Sequence, residues 1–110
     1  MQQQDLPPIP EVSPDLAAEM LSDGALLIDV REIDEWQETR IGGAEFKPMS
    51  GINSWYADLP QDRPIVVYCH SGARSQAVVK ALTEQAGMTD VHNMTGGIKA
   101  WSQLGLDLES

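Results

Sequence analysis

The sequence predicts an α/β domain: a central, mainly parallel sheet with helices on both faces. Three observations predict it. Short apolar runs at Ala25–Val30, Ile65–Cys69 and Val91–Met94 read as strands, the first with the unbroken pattern of a strand buried on both faces. Helical patterns fall between these runs, so the strands are joined by βαβ crossovers. The chain has 110 residues, the size of one domain, and 42% of them are hydrophobic.

The elements follow in order. Residues 1–8 are Gln- and Pro-rich and read as a flexible tail, leading into an extended segment near Ile9–Val12. Ser13-Pro14-Asp15 is a helix start, with Ser at the N-cap, Pro in the first turn and an acid near the positive end. That helix ends near Asp23-Gly24. After the strand at Ala25–Val30, Glu32–Thr39 reads as a short helix with Trp36 pointing inward. A Gly42-Gly43 turn precedes a short strand near Ala44–Phe46, and Gly51–Leu59 is a weak helix or a loop. Ile65–Cys69 is the strongest strand signal. A loop, His70–Ser75, then gives way to a helix over Gln76–Gln85, with Ser71 or Ser75 as a possible cap. Val91–Met94 is a strand, Gly96-Gly97 punctuates, and Ile98–Leu104 is the last helix. The domain is expected to span 9–106, with 107–110 as a C-terminal tail.

Composition removes several function classes. The net charge is −10; residues 1–62 carry thirteen acids and three bases, and residues 63–110 carry four of each. A duplex or an anionic membrane requires a basic face, so nucleic acid and membrane partners are not expected. The acidity serves solubility, or forms a docking face for a basic protein partner. No apolar window is long enough for a transmembrane helix, and the first residues lack the pattern of a secretory signal, so a cytoplasmic location is expected. One cysteine excludes an internal disulfide and a thiolate-rich zinc site.

That cysteine carries the chemistry. Cys69 stands at the carboxyl end of the best strand, where open α/β sheets place their sites. The loop Cys69-His70-Ser71-Gly72-Ala73-Arg74-Ser75 is built of small residues, so its successive amides can turn inward as an anion-binding nest. The following helix adds its positive end. Both favour a thiolate, the nucleophilic form. Arg74 adds a permanent cation whose forked donors suit an oxyanion. A lone cysteine ending a buried strand is often only a small hydrophobe; the electropositive loop turns the reading toward a reactive thiol.

Four motifs, in order, resemble those of the rhodanese homology family. Ile28-Asp29-Val30-Arg31-Glu32 with Glu35-Trp36 is similar to its early "DVRE" segment, and Arg40-Ile41-Gly42-Gly43-Ala44 to its "GHIPGA" turn. Cys69–Ser75 is similar to its "CxSGxRS" active loop, and Gly96–Trp101 to its closing "GGxxAW". The match spans about residues 9–106. It implies a rhodanese-like three-layer fold with a sheet of about five strands. It implies a sulfurtransferase in which Cys69 takes a sulfane sulfur from thiosulfate or another persulfide donor and holds it as a persulfide. A thiol, or cyanide, then removes it. His70, Ser71, Gly72, Ala73, Arg74 and Ser75 would form the persulfide-binding loop, with no metal and no organic cofactor.

Two other classes stay open: a rhodanese-like sulfur carrier or interaction module without turnover, and a small cysteine phosphatase or arsenate reductase. The cysteine phosphatases place Arg six positions after Cys, and here it follows by five, which favours sulfur over a tetrahedral phosphate. Arg40 stands where the family has His. Asp29 and Arg31, two apart on a strand end, share a face and form a buried ionic brace, with Arg74 a further candidate partner for Asp29. Gly96 and Gly97 are expected to let backbone approach the loop closely. His70 reads as a solvated loop side chain or a titratable donor, His92 as structural, and Trp55 and Tyr56 as the candidates for lining the mouth.

Overall fold

The computed structural model describes residues 9–110; the tail expected over 1–8 lies outside the described residues. The elements are β1 (Glu11–Val12), α1 (Pro14–Ser22), β2 (Leu26–Asp29), α2 (Ile33–Glu38), β3 (Glu45–Phe46), α3 (Ile52–Trp55), β4 (Ile65–Tyr68), α4 (Ala73–Glu84), β5 (Val91–Met94) and α5 (Gly97–Gln103). Single 3₁₀ turns at Met49–Gly51 and Tyr56–Asp58 flank α3.

The five strands form one sheet in the order β1-β5-β4-β2-β3, and every pairing is parallel. Each strand is therefore reached by a crossover, and the crossovers lay helices on both faces. On one face α4 presents Val78, Val79 and Leu82, and α3 presents Trp55, to Ile28, Ile65, Val67 and Val91. On the other, Ala17 of α1 and Ile98 and Trp101 of α5 cover Leu27, Val66, Tyr68 and Met94. Each fully buried aliphatic side chain contributes about 1.5–3 kcal/mol, so the double-faced strands β2 and β4 hold the fold. Among the described residues no helix is long and apolar enough to cross a membrane.

Ser13 caps α1 as expected: its hydroxyl accepts the Leu16 amide at 3.4 Å, and Pro14 opens the helix. Two expectations fail locally. No residue of α2 is buried, and Trp36 does not point into the core. Its half-buried ring lies 5.3 Å from the Phe46 ring and beneath the Arg40 guanidinium at 5.1 Å. A two-turn helix at the sheet's edge has no core to reach, so the indole packs on its neighbours. The second failure is the start of α4, which is Ala73 rather than Gln76. Gly72 has φ of +106°, turning the chain so sharply that the helix begins at the next residue. The cap is thus Gly72, with neither Ser71 nor Ser75 capping by side chain.

The last residues are tied down. Arg40 and Glu109 form an isolated antiparallel bridge with backbone bonds of 2.8 and 2.7 Å, and the Asp107 carbonyl accepts Trp101 Nε1 at 2.8 Å.

Candidate active site

The sheet reverses its winding between β2 and β4: after β2 the chain adds β3 on one side, and after β4 it adds β5 on the other. Chain ends diverge at such a switch point and leave a crevice at the carboxyl edge. Asp29 and Tyr68 are paired there, so Val30 and Cys69 leave the sheet side by side.

Cys69 is 1% exposed. Its Sγ accepts the Gly72 amide at 3.1 Å and lies 3.4 Å from the Ser75 hydroxyl. Burial is the largest influence on the thiol and pushes its pKa up. Hydrogen bonds from the Ser75 hydroxyl and from the Ser75, Gly72 and Ser71 amides outweigh it, holding the pKa below the ordinary thiol value. The three-turn helix α4 begins at this loop and directs its positive end at the sulfur.

The loop is held from below by glycines. The Cys69 and His70 carbonyls accept the Ile98 and Lys99 amides at 2.9 and 3.1 Å. A Cβ on Gly97 would run into both carbonyl oxygens, and one on Gly72 would meet the Gly96 amide at 3.3 Å. Gly97 lies directly against the loop carbonyls, and the Gly96 amide lies beside Gly72.

Asp29 and Arg31 form the buried brace. Arg31 Nη2 lies 2.8 Å from Asp29 Oδ2, Arg31 Nε is bonded to both carboxylate oxygens, and Nη2 also reaches the Thr39 carbonyl at 2.6 Å. Arg74 does not join them. Its two Nη atoms grip Glu35, each 2.8 Å from one carboxylate oxygen. The Arg74 hydrogen bonds draw the Glu35 pKa down to about 2. The forked donor expected for an oxyanion is occupied by α2, because Arg74 leaves the first turn of α4 on the side where Glu35 stands.

His70 is exposed and borders a 570 Å³ cleft with Glu38 and Lys99, as a solvent-facing side chain would. His92 pairs with Asp90 at 2.7 Å. Trp55 and Tyr56 do not line the loop: Trp55 is buried and donates to the Pro48 carbonyl, while Tyr56 borders a separate groove with Ala81 and Gln85 near the far end of α4. Two residues given no role by the sequence belong to the site. Glu35 is one. The other is Asn93, 2% exposed, whose Oδ1 takes the Ser75 hydroxyl at 2.5 Å. Its signal was present: an amide between Val91 and Met94 in a buried strand requires polar partners.

A reactive-type thiol in a helix-capping loop at the switch point of a parallel sheet defines the class: an α/β domain with a cysteine-centred site. The family model of the rhodanese-like domain matches residues 13–104, and the chain belongs to that family. Over 79 residues it is 46% identical to a Mycobacterium tuberculosis protein named "Probable adenylyltransferase/sulfurtransferase MoeZ", covering 70% of this chain but only 20% of that much longer protein. It is 36% identical to a sulfurtransferase of Allochromatium vinosum over 89% of this chain and 92% of the other. It is 29% identical to the thiosulfate sulfurtransferase GlpE of Actinobacillus succinogenes over 91% and 90%. A crystal structure of a rhodanese-like domain protein from Staphylococcus aureus superimposes with a TM-score of 0.78 at 27% identity, covering 93% of this chain and all of the other.

Proposed function

We propose that the protein is a sulfurtransferase working through a Cys69 persulfide. The observation that carries this reading is the convergence of the Gly72 amide and the Ser75 hydroxyl on a buried sulfur at the start of α4. The Cys69 thiolate attacks the outer sulfur of thiosulfate; the new S–S bond forms as the old one breaks, and sulfite leaves with the electron pair. An acceptor thiolate, or cyanide, then attacks the outer sulfur and the Cys69 thiolate departs. The loop amides stabilise the anionic sulfur at both ends of the cycle, as an oxyanion hole does for oxygen. Sulfurtransferase relatives of similar length support the reading.

One observation favours a second donor class. With Arg74 held by Glu35, the loop offers an anionic donor no free guanidinium, and Glu32 lies close enough to act on the same Arg74 charge. A persulfide on a thiol or on a protein carrier suits such a mouth better than thiosulfate. The same pairing weighs against phosphate or arsenate chemistry, which needs that fork for its oxyanion.

Intact mass tests the proposal. Thiosulfate, or a low-molecular-weight persulfide, adds one sulfur to the wild type; cyanide removes it; Cys69→Ser gains none. No gain with either donor, the thiol remaining free, overturns the persulfide route and leaves the interaction-module reading.

A further inference from the structure

The Ser75 hydroxyl has one proton and three acceptors around it: Asn93 Oδ1 at 2.5 Å, the Gly72 carbonyl at 3.2 Å and Cys69 Sγ at 3.4 Å. The proton goes to the shortest contact. Asn93 is held in the orientation that makes it an acceptor there. Its Nδ2 faces two acceptors, the Glu11 carboxylate and the Gly72 carbonyl, each at 3.4 Å. A flipped amide would set its oxygen against both. The backbone is fixed too, since Asn93 is paired with Glu11 on β1 and Val67 on β4.

We propose that Asn93 is a positioning residue that sets the direction of the Ser75 hydroxyl, drawing its proton away from an uncharged Cys69 sulfur and yielding it when the sulfur becomes anionic. The inference rests on the sulfur-transfer reading and deepens it. In that cycle Cys69 is first a nucleophile and then a leaving group. Nucleophilicity falls and leaving ability rises as a thiol becomes more acidic. The thiolate that attacks and the thiolate that departs are the same anion, and the hydroxyl turns to it in both steps. Because that bond must be won from Asn93, it lowers the thiol's pKa less than an unopposed hydroxyl would, sparing nucleophilicity while still stabilising the leaving group. No bond is made or broken in the rotation. The charged groups facing the loop are Arg74 with Glu35 and Glu32 on the α2 side, Glu11 from β1, and Lys99 of α5 beside His70. Glu11 acts by holding Asn93, whereas the others act on the sulfur without passing through Ser75.

The test is the pH dependence of Cys69 alkylation by iodoacetamide, with Cys69→Ser as blank, in the whole chain. Asn93→Leu removes the acceptor at similar volume and frees the hydroxyl for the sulfur, so the midpoint falls, with about three- to tenfold more thiolate at a fixed pH below it, the worth of one hydrogen bond. Ser75→Ala moves the midpoint up. In the double variant Asn93 no longer matters, and the midpoint equals that of Ser75→Ala. A purely structural role for Asn93 would shift the midpoint equally on both backgrounds, and that result overturns the proposal, as does an unchanged or raised midpoint in Asn93→Leu. Asn93→Ala replaces it if the Leu variant does not fold. Alkylation needs no sulfur donor, so its outcome is separate from the mass test of sulfur transfer.

Discussion

Arg74 and Glu35 meet end to end, guanidinium to carboxylate, with both contacts at 2.8 Å, and so couple the active loop's helix to the small surface helix α2. The helix α2 has no buried residue of its own. This pair is therefore a polar anchor of α2 to the Cys69 side of the domain. Glu35→Gln is expected to cost about 1 kcal/mol of stability at pH 7, the scale of a partly exposed pair after solvent screening. The folded-state pKa lies below the ordinary carboxylate value, so the contribution is complete above about pH 4.5 and disappears as the pH falls toward about 2. Urea unfolding of both proteins across that window checks it: the difference between them must vanish at the acid end.

Gly97→Ala is expected to be far worse than Gly87→Ala. Both glycines have positive φ, +61° and +71°. A Cβ at position 87 meets nothing within 4 Å, whereas one at position 97 collides with the carbonyls of Cys69 and His70. The first substitution costs about 1–2 kcal/mol of backbone strain. The second adds a further ~1–3 kcal/mol of overpacking and displaces the loop. Denaturation gives the stabilities, and persulfide loading should drop only for Gly97→Ala.

Asp29→Asn leaves Arg31 buried without its counter-charge, and the expected loss is about 3–5 kcal/mol. Replacing both, as Asp29→Asn with Arg31→Met, should cost less than the sum of the two single changes, because the orphaned charge is gone. A double-mutant cycle in urea measures the difference; simple additivity would mean that the two side chains do not act as a pair.

Removing residues 107–110 takes away the Arg40–Glu109 bridge and the carbonyl that accepts Trp101 Nε1. These three hydrogen bonds are worth about 1–3 kcal/mol. The melting temperature should fall by roughly 5–15 °C for a domain of this size. An unchanged melting temperature would show that the bridge does not form in solution.

The fold was legible because its signals are local. Unbroken apolar runs marked β2 and β4, and Ser13-Pro14 and Gly96-Gly97 marked ends of elements that the structure keeps. The position of Cys69 at a strand's carboxyl end followed from the same reading. What escaped was pairing over distance. The sequence offers Arg74 to an oxyanion or to Asp29, and nothing local shows that a residue 39 positions earlier holds it. Asn93 carries no local sign of which group it serves, since its partner Ser75 lies on another element, 18 residues away. An indole in a helix usually seeks a core, which predicts Trp36 inside, and no residue of this helix is buried.

The strand that opens the sheet pairs with the strand that closes it, and Glu11 meets Asn93 across 82 residues of chain. Such non-local closure is slow to form and carries a large loop entropy. During synthesis the ribosome must release the chain past Met94 before β1 and β4 gain the neighbour they share. Until then Cys69 has neither Asn93 near its serine nor Gly97 beneath its loop. The setting of the sulfur is in this way finished only by the closing strand and helix of the polypeptide, around a residue made earlier.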